Sequence, residues 1–452
     1  MSDSIFERFI KESPISVMAR ATAERALNPE KTDQWFDNLP KEQYTKDLLF
    51  SSMFGLMSKT VTGSYPSVHA AYQKSKEEIG VSVTSVYNKL NGIEIDTSAE
   101  LVRYAAGELA PAIIELGGAT APLLPGYRVK MLDGNCIEAS EHRIAELREL
   151  AAGALPGKSL VVYDPVLRMP IDVFPCEDGH AQERSLLGDV SATAEKNDVW
   201  AADRNFCTCG FITEIADSGA FFIIRLHRGL SYEIIGVEKA VGLTETGEVS
   251  EQFIAVTDAS GKRHIFRRIR VHLVTETRDG DIEIFIITNQ PPEAASAVKI
   301  ADIYRKRWKI ETSFQELEDY SHSEINTLGY PPAALFAFCV ALISYMILAV
   351  VKAALAGVHG VEKIEEEVSG FYICDVIAGV YRGMMIALPD EDWKVFRDYL
   401  QSEFIALLLR LSENVKISAF RKHPRGPKKK PPKRKSDPKV PHVSTAKLIA
   451  MR

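Results

Sequence analysis

The sequence predicts a mixed α/β protein: a layer of strands with helices packed on it, a β-rich insertion, and helical regions on both sides. Three observations predict this. Residues 1 to about 115 repeat apolar side chains at helical spacing, as in Ile5-Phe6-Phe9-Ile10 and Leu48-Leu49-Met53-Leu56-Met57. From about Tyr127 the pattern changes to short alternating or apolar runs with helical stretches between some of them. From about His227 to Asn289 alternation dominates. The chain has 452 residues, 46% hydrophobic and 25% charged, enough for two or three domains. We divide it into a helical region (1–120), an α/β domain (121–330, with 227–290 as the insertion), a second helical region (331–420) and a basic Pro-rich tract (421–452).

In the first region, Gly80-Val81-Ser82 before VTSVYNKLNG predicts a turn, a Ser82 N-cap and a short helix ending at Gly92. A longer helix follows from about Ser98 to Leu116. This outline fits a helix-turn-helix, and it fits the commoner plain helical bundle equally. In the α/β region, Arg128 to Leu132 alternates as a strand. Ser159–Tyr163 and Met169–Phe174 read as two strands around Asp164-Pro165, and Val199–Ala202 and Ala220–Ile224 as short buried strands. His142 to Ala152 reads as a helix. In the insertion, Phe266–Thr275 and Asp281–Thr288 flank an Asp279-Gly280 hairpin turn. One long helix is expected from about Ala294 to Tyr320. Ala333–Val351 is nineteen residues without a formal charge. Its length would span a bilayer, but it stands alone without polybasic or Trp anchors, which favours a helix buried in protein.

The net formal charge of -7 conceals an asymmetry. Between Arg421 and Val440 ten Lys or Arg, among them Lys428, Lys429, Lys430 and Arg434, face one acid, Asp437. That stretch carries +9 and the rest -16. A basic segment on an acidic body is either a solvated charge run or a local contact for a polyanion. Its prolines oppose regular structure. Six cysteines with a single C-x-C (Cys207, Cys209) make neither a zinc site nor a disulfide framework. Met1 to Lys11 lacks the apolar core of a signal peptide, so the cytoplasm is the expected compartment. A P-loop or Rossmann enzyme is disfavoured, since neither G-x-x-x-x-G-K-[ST] nor G-x-G-x-x-G occurs in a strand-to-helix context.

The candidate chemistry rests on acids. Asp133 follows the strand ending at Leu132 and precedes Gly134. Asp203 follows the strand Val199–Ala202 and precedes Arg204. A charged residue directly after a buried strand is where α/β folds place ligand groups, although a lone Asp there is more often a turn former. On the long helix, Tyr304, Arg307, Glu311 and Glu318 are spaced three, four and seven, which puts them on one stripe. Alone, that stripe is the solvated face of an amphipathic helix.

Together these residues resemble a family. Tyr304-x2-Arg307-x3-Glu311, with Trp308 inside it, resembles the signature of the DDE transposases of bacterial insertion sequences, in the branch whose signature is Y-x2-R-x3-E-x6-K. LDGNCIEASEHR around Asp133 and WAADRNF around Asp203 look like that branch's first two acidic motifs. One departure stands out: Glu318 occupies the position of the family Lys.

The resemblance implies a ribonuclease-H-like fold with the first two acids on neighbouring strands and the third on a helix. It implies that Asp133, Asp203 and Glu311 are catalytic and hold two divalent ions, Mg2+ with Mn2+ able to substitute, since hard oxygen ligands suit these ions. Arg307 would then grip a phosphate by its planar fork, and Tyr304 would donate to another phosphate oxygen. Trp308 stacks on an extruded base or else belongs to the core. Arg204 contacts DNA or pairs with Asp203. Lys428, Lys429, Lys430 and Arg434 would supply sequence-independent phosphate contacts. The implied partners are double-stranded DNA, at inverted repeats and target, and a second copy in a synaptic dimer, with no membrane. The implied activity is cut-and-paste transposition. The alternative is a catalytically silent DNA-binding protein derived from such an enzyme, whose mark would be a lost acid.

Overall fold

The computed structural model describes residues 2–39, 43, 47–137, 154–277, 280–325, 327–423 and 443–451. Its centre is a nine-stranded mixed sheet. The strands are β1 (Arg128–Ile137), β3 (Gly157–Asp164), β4 (Met169–Cys176), β5 (Asp198–Ala202), β6 (Phe221–Arg225), β7 (Glu233–Thr244), β8 (Gly247–Thr257), β9 (Arg263–Leu273) and β10 (Glu283–Thr288); the two-residue β2 (Ala154–Leu155) lies outside it. The order is β4-β3-β1-β5-β6-β10-β9-β8-β7. β1, β5 and β6 run parallel, and the other pairings in the sheet are antiparallel.

The insertion is therefore not a sheet of its own. β10, read from sequence as part of it, pairs antiparallel with β6, and β9, β8 and β7 extend the same ladder. The run FIIT gives β10 the apolar character needed to sit mid-sheet. The turn before it has Gly280 at φ +84°, a conformation glycine adopts without penalty; Asp279 and the expected helix at His142–Ala152 lie outside the described residues. At the β3–β4 turn, Asp164 Oδ1 accepts from the N–H groups of Val166 and Leu167, which closes the predicted hairpin.

A buried ion pair fixes the two strands that carry the acids. Lys130 Nζ on β1 donates to Asp198 Oδ2 on β5 at 2.6 Å, beneath Trp200, whose ring centroid is 4.9 Å from the ammonium. The Glu195 N–H also donates to Asp198, so the carboxylate is saturated rather than stranded.

Among the described residues, seven helices lie between Ser2 and Glu115, the last of which packs against β4. Ser82 caps the Val83–Asn91 helix by accepting from the Ser85 N–H, and Gly80 at φ +69° ends the preceding helix. The apolar stretch forms part of the 29-residue helix Pro331–His359, which packs against the Ile95–Glu115 helix, the Gln401–Glu413 helix and β4. Of its most apolar window, 89% is buried by protein. Each fully buried Leu, Ile or Phe there contributes about 1.5–3 kcal/mol. Gly357 permits the close approach: a Cβ there would lie 2.4 Å from the Leu116 carbonyl oxygen. By length and composition a second helix, Gly370–Ala387, is also apolar enough to cross a membrane; its window is 17% buried.

The expected long helix from Ala294 to Tyr320 is two helices, Ala297–Lys306 and Trp308–Tyr320. At Arg307 the chain tightens: the Arg307 N–H donates to the Tyr304 carbonyl, and the Ile310 N–H to the Arg307 carbonyl. These are three-residue bonds of the 3₁₀ type, common at helix ends. The basic residues Lys428, Lys429, Lys430 and Arg434 lie outside the described residues. Beyond them the expectation of an irregular tract does not hold. β11 (Val443–Ser444) pairs parallel with β2, a helix spans Thr445–Ala450, and Lys447 Nζ lies 2.9 Å from Asp178 Oδ2. Leu448 and Ile449 pack there with Tyr330 and Val443, an apolar association that the preceding prolines do not prevent.

Candidate active site

Parallel pairing sets the site. Leu132 on β1 pairs with Ala202 on β5, so the next residue on each, Asp133 and Asp203, leave the sheet side by side on one face. β1 does not end there: it continues to Ile137 along β3, so Asp133 lies within a strand rather than closing one. A Cβ on Gly134 would fall 2.2 Å from Glu183 Oε1, so the glycine lets that carboxylate lie close against β1. The two helices joined at Arg307 cross the same face and deliver the third acid.

Arg307 joins two of the acids. Its Nη1 donates to Asp133 Oδ2 at 3.0 Å and its Nη2 to Glu311 Oε1 at 2.7 Å. Its side chain is 4% exposed, against 18% for Asp133 and 37% for Glu311. Its Nε, also buried, finds no acceptor among the described residues. Tyr304 lies on the other side, its hydroxyl 3.4 Å from Asp203 Oδ1. Asp133, Asp203, Glu311, Tyr304 and Arg307 are thus brought together, although far apart in sequence.

The electrostatics record this crowding. Burial pushes the Asp133 carboxyl up to about 6; Arg307 and the Gly134 N–H oppose the rise, and the charges of Glu311 and Asp203 add to it. Burial likewise raises the Tyr304 phenol to about 12, so it is a donor at neutral pH. Burial lowers the Arg307 guanidinium, but Tyr304, Asp133 and Glu311 together outweigh it and hold the group above its usual range.

The sequence left two alternatives each for Trp308 and Arg204. Trp308 is 59% exposed, which removes the core alternative. Its ring centroid lies 5.7 Å from the Arg307 guanidinium carbon, leaving the indole available to a flat partner. We expect Trp308→Ala to change stability by no more than about 0.5 kcal/mol in thermal unfolding, as for other exposed positions. Arg204 is exposed and makes no ion pair with Asp203 among the described residues. Sequence reasoning missed Arg225, at the end of β6 beside Asp203, whose guanidinium Nη2 lies 2.6 Å from Asp281 Oδ2.

The donor set fits a hard divalent ion: three carboxylates on one face, without thiolate or imidazole. Their oxygens do not all lie within 4.8 Å of one another. Among the described residues the group that meets that spacing is Asp217, Asp258 and His264, where the end of the Cys209–Asp217 helix meets the β8–β9 turn. There Lys262 occupies Asp217 and His264 donates to Asp258, an arrangement complete without an ion.

Residues 126–347 match the family of the transposase DDE domain. Over that segment the chain is similar to a DDE transposase domain. The matched segment holds all three acids, Tyr304, Arg307 and the β7–β9 extension of the sheet. Relatives agree with the assignment. The putative transposase InsL of insertion sequence element IS186A from Escherichia coli K12 is 26% identical over 253 residues, 48% of this chain and 64% of that protein. The transposase of insertion sequence element IS421 from Escherichia coli is also 26% identical, over 48% of this chain and 63% of its own. The putative transposase y4zB of Sinorhizobium fredii is 27% identical over 171 residues, 36% of this chain and 44% of that protein. The chain thus spans less than two thirds of the length of each of these relatives.

Proposed function

We propose that this chain is a metal-dependent transposase that nicks DNA at the inverted-repeat ends of its element and transfers the freed 3' ends into target DNA. What supports the reading is the convergence of Asp133, Asp203 and Glu311 on one face, with Arg307 spanning two of them. Asp133, Asp203 and Glu311 would hold divalent ions, Mg2+ or Mn2+, which when bound activate the attacking oxygen and stabilise the leaving one.

The remaining work falls to the chain itself. Tyr304, a neutral donor, orients Asp203. Arg307, kept cationic, offsets the acid charge before substrate arrives, and its free Nε–H is a donor for a phosphate oxygen. Trp308, on the exposed rim, offers a face on which a displaced base stacks. Arg204 holds backbone phosphate. Sequence reading falls to the N-terminal helices, where Thr84, Ser85 and Asn88 lie on Val83–Asn91 with Ser85 exposed. A second copy would complete the assembly on paired ends, in the bacterial cytoplasm where the DNA lies.

Lys428, Lys429, Lys430 and Arg434 add phosphate contacts without sequence preference. Replacing all four with Gln is expected to weaken binding to every duplex alike and to flatten the logarithmic salt dependence by roughly 0.9 for each phosphate no longer neutralised. Loss of preference for the element's ends at unchanged affinity would contradict that role.

The test of the reading is incubation of the protein with labelled DNA carrying the element's own ends, with and without Mg2+. Metal-dependent nicks at the end boundaries are expected. Tight binding without cleavage in either Mg2+ or Mn2+ would favour the silent DNA-binding alternative.

A further inference from the structure

The sheet register places a cation in the row of acids. Leu132 pairs with Ala202, and Ala202 pairs with Ile224, all in parallel. One residue further on, Asp133, Asp203 and Arg225 line up across three neighbouring strands, about 4.8 Å apart from strand to strand and on one face. Arg225 does not turn to Asp203. It reaches the other way, to Asp281 on the loop entering β10, at 2.6 Å, with its side chain 18% exposed.

Asp281 is held in place for this contact. Its N–H donates to Thr277 Oγ1 at 3.0 Å, its carbonyl accepts from the Thr277 N–H, and the Gly280 N–H closes the turn on the Thr277 carbonyl. Its carboxyl is held below the usual range, first by the Arg225 hydrogen bond, with the charges of Arg225, Arg204 and Arg228 adding to it. Arg204 and Arg228 are exposed and make no ion pair among the described residues. Arg225 alone is paired with Asp281, and the nearby charges of Arg204 and Arg228 leave an excess of positive charge beside Asp203.

We propose that Arg225, flanked by Arg204 and Arg228, is a phosphodiester-binding site adjoining Asp203, and that Asp281 occupies it in the DNA-free protein. The guanidinium fork donates to carboxylate and phosphate oxygens in the same geometry, so a carboxylate is a natural placeholder for a DNA phosphate. Binding DNA exchanges the Asp281 contact for phosphate contacts and carries the backbone past Asp203. This site rests on the transposase reading and deepens it.

Opposite responses at the two ends of one ion pair test it. Arg225→Gln and Asp281→Asn both break the Arg225–Asp281 ion pair, so a purely structural role predicts the same direction for both. Binding of a labelled duplex of arbitrary sequence is measured by fluorescence anisotropy in EDTA across a salt series, with thermal unfolding of each variant alongside. Arg225→Gln is expected to weaken binding and lower the salt slope by about one; Arg225→Gln with Arg204→Gln and Arg228→Gln lowers it by about three. Asp281→Asn is expected to bind tighter than wild type, and by more than Glu413→Asn, which removes an exposed acid elsewhere. Binding unchanged in both variants, or weakened in both together with their unfolding temperatures, overturns the site and leaves the transposase reading standing. If wild type binds no duplex at all, the reading falls and the site falls with it.

Discussion

Replacing Glu311 with Gln is expected to slow metal-dependent nicking of element-end DNA by about 10^3-fold or more, while affinity for the same DNA in EDTA stays within about threefold of wild type. The design separates chemistry from folding. Glu311 is 37% exposed and meets Arg307 at 2.7 Å, a hydrogen bond that a Gln side-chain oxygen still accepts. Gln keeps the shape and removes the charge. Metal-assisted phosphoryl chemistry depends on ligand charge for several kcal/mol of transition-state stabilisation. At 1.36 kcal/mol per decade, a loss of about 4 kcal/mol is the predicted 10^3. Removing Glu311's charge also removes one of the influences raising the Asp133 carboxyl, so the variant does not unfold for want of compensation. Rates are read from single-turnover nicking, and folding from thermal unfolding. Equal nicking by the variant and wild type would remove Glu311 from the chemistry.

The legible part of the site was legible for a physical reason. A charged residue that follows a run of strand-like apolar residues stands out against its neighbours, and that contrast picks out Asp133 and Asp203, although β1 runs on past Asp133. The same contrast marks Arg225, which ends FFIIR as Asp203 follows VWAA; the signal is present, but a cation there does not suggest a metal ligand. What composition does not carry is pairing. That Asp133 and Asp203 face the same way follows from β1 and β5 being parallel and in register, a tertiary fact. Joining the insertion to the main sheet likewise depends on β10 choosing β6 as its neighbour. The break at Arg307 was hidden because every residue around it suits a helix; the chain tightens where the guanidinium reaches two acids on different elements. At Trp308 the sequence left base stacking and core burial both open, because a large apolar ring is usually core; the ring stands exposed on the rim of the site.

Asp133→Asn is expected to stabilise the metal-free protein at pH 7.5 by up to about 3 kcal/mol, and the gain should vanish near pH 4. The sign follows from the raised carboxyl. Burial holds Asp133 at about 6 in the folded protein against 3.8 for the unperturbed group, so between those values the folded state binds the extra proton. The stability tied to that proton is fully present below about pH 3.8 and is lost as pH rises through about 6. Roughly two pKa units at 1.36 kcal/mol each set the magnitude, and a side chain 18% exposed needs little discount for screening. Asn carries no charge to desolvate and still accepts from Arg307, so it escapes the penalty at neutral pH. The measurement is the difference in unfolding free energy between variant and wild type in EDTA from pH 4 to 8. Added Mg2+ should then raise the unfolding temperature of wild type and leave the variant unmoved, because a metal lifts the penalty only where a carboxylate is present to bind it. A variant less stable than wild type at pH 7.5 without metal would mean that the Arg307 hydrogen bond outweighs burial. Asp133 would then be a structural partner of Arg307, and the crowding of acids on this face would no longer point to a metal.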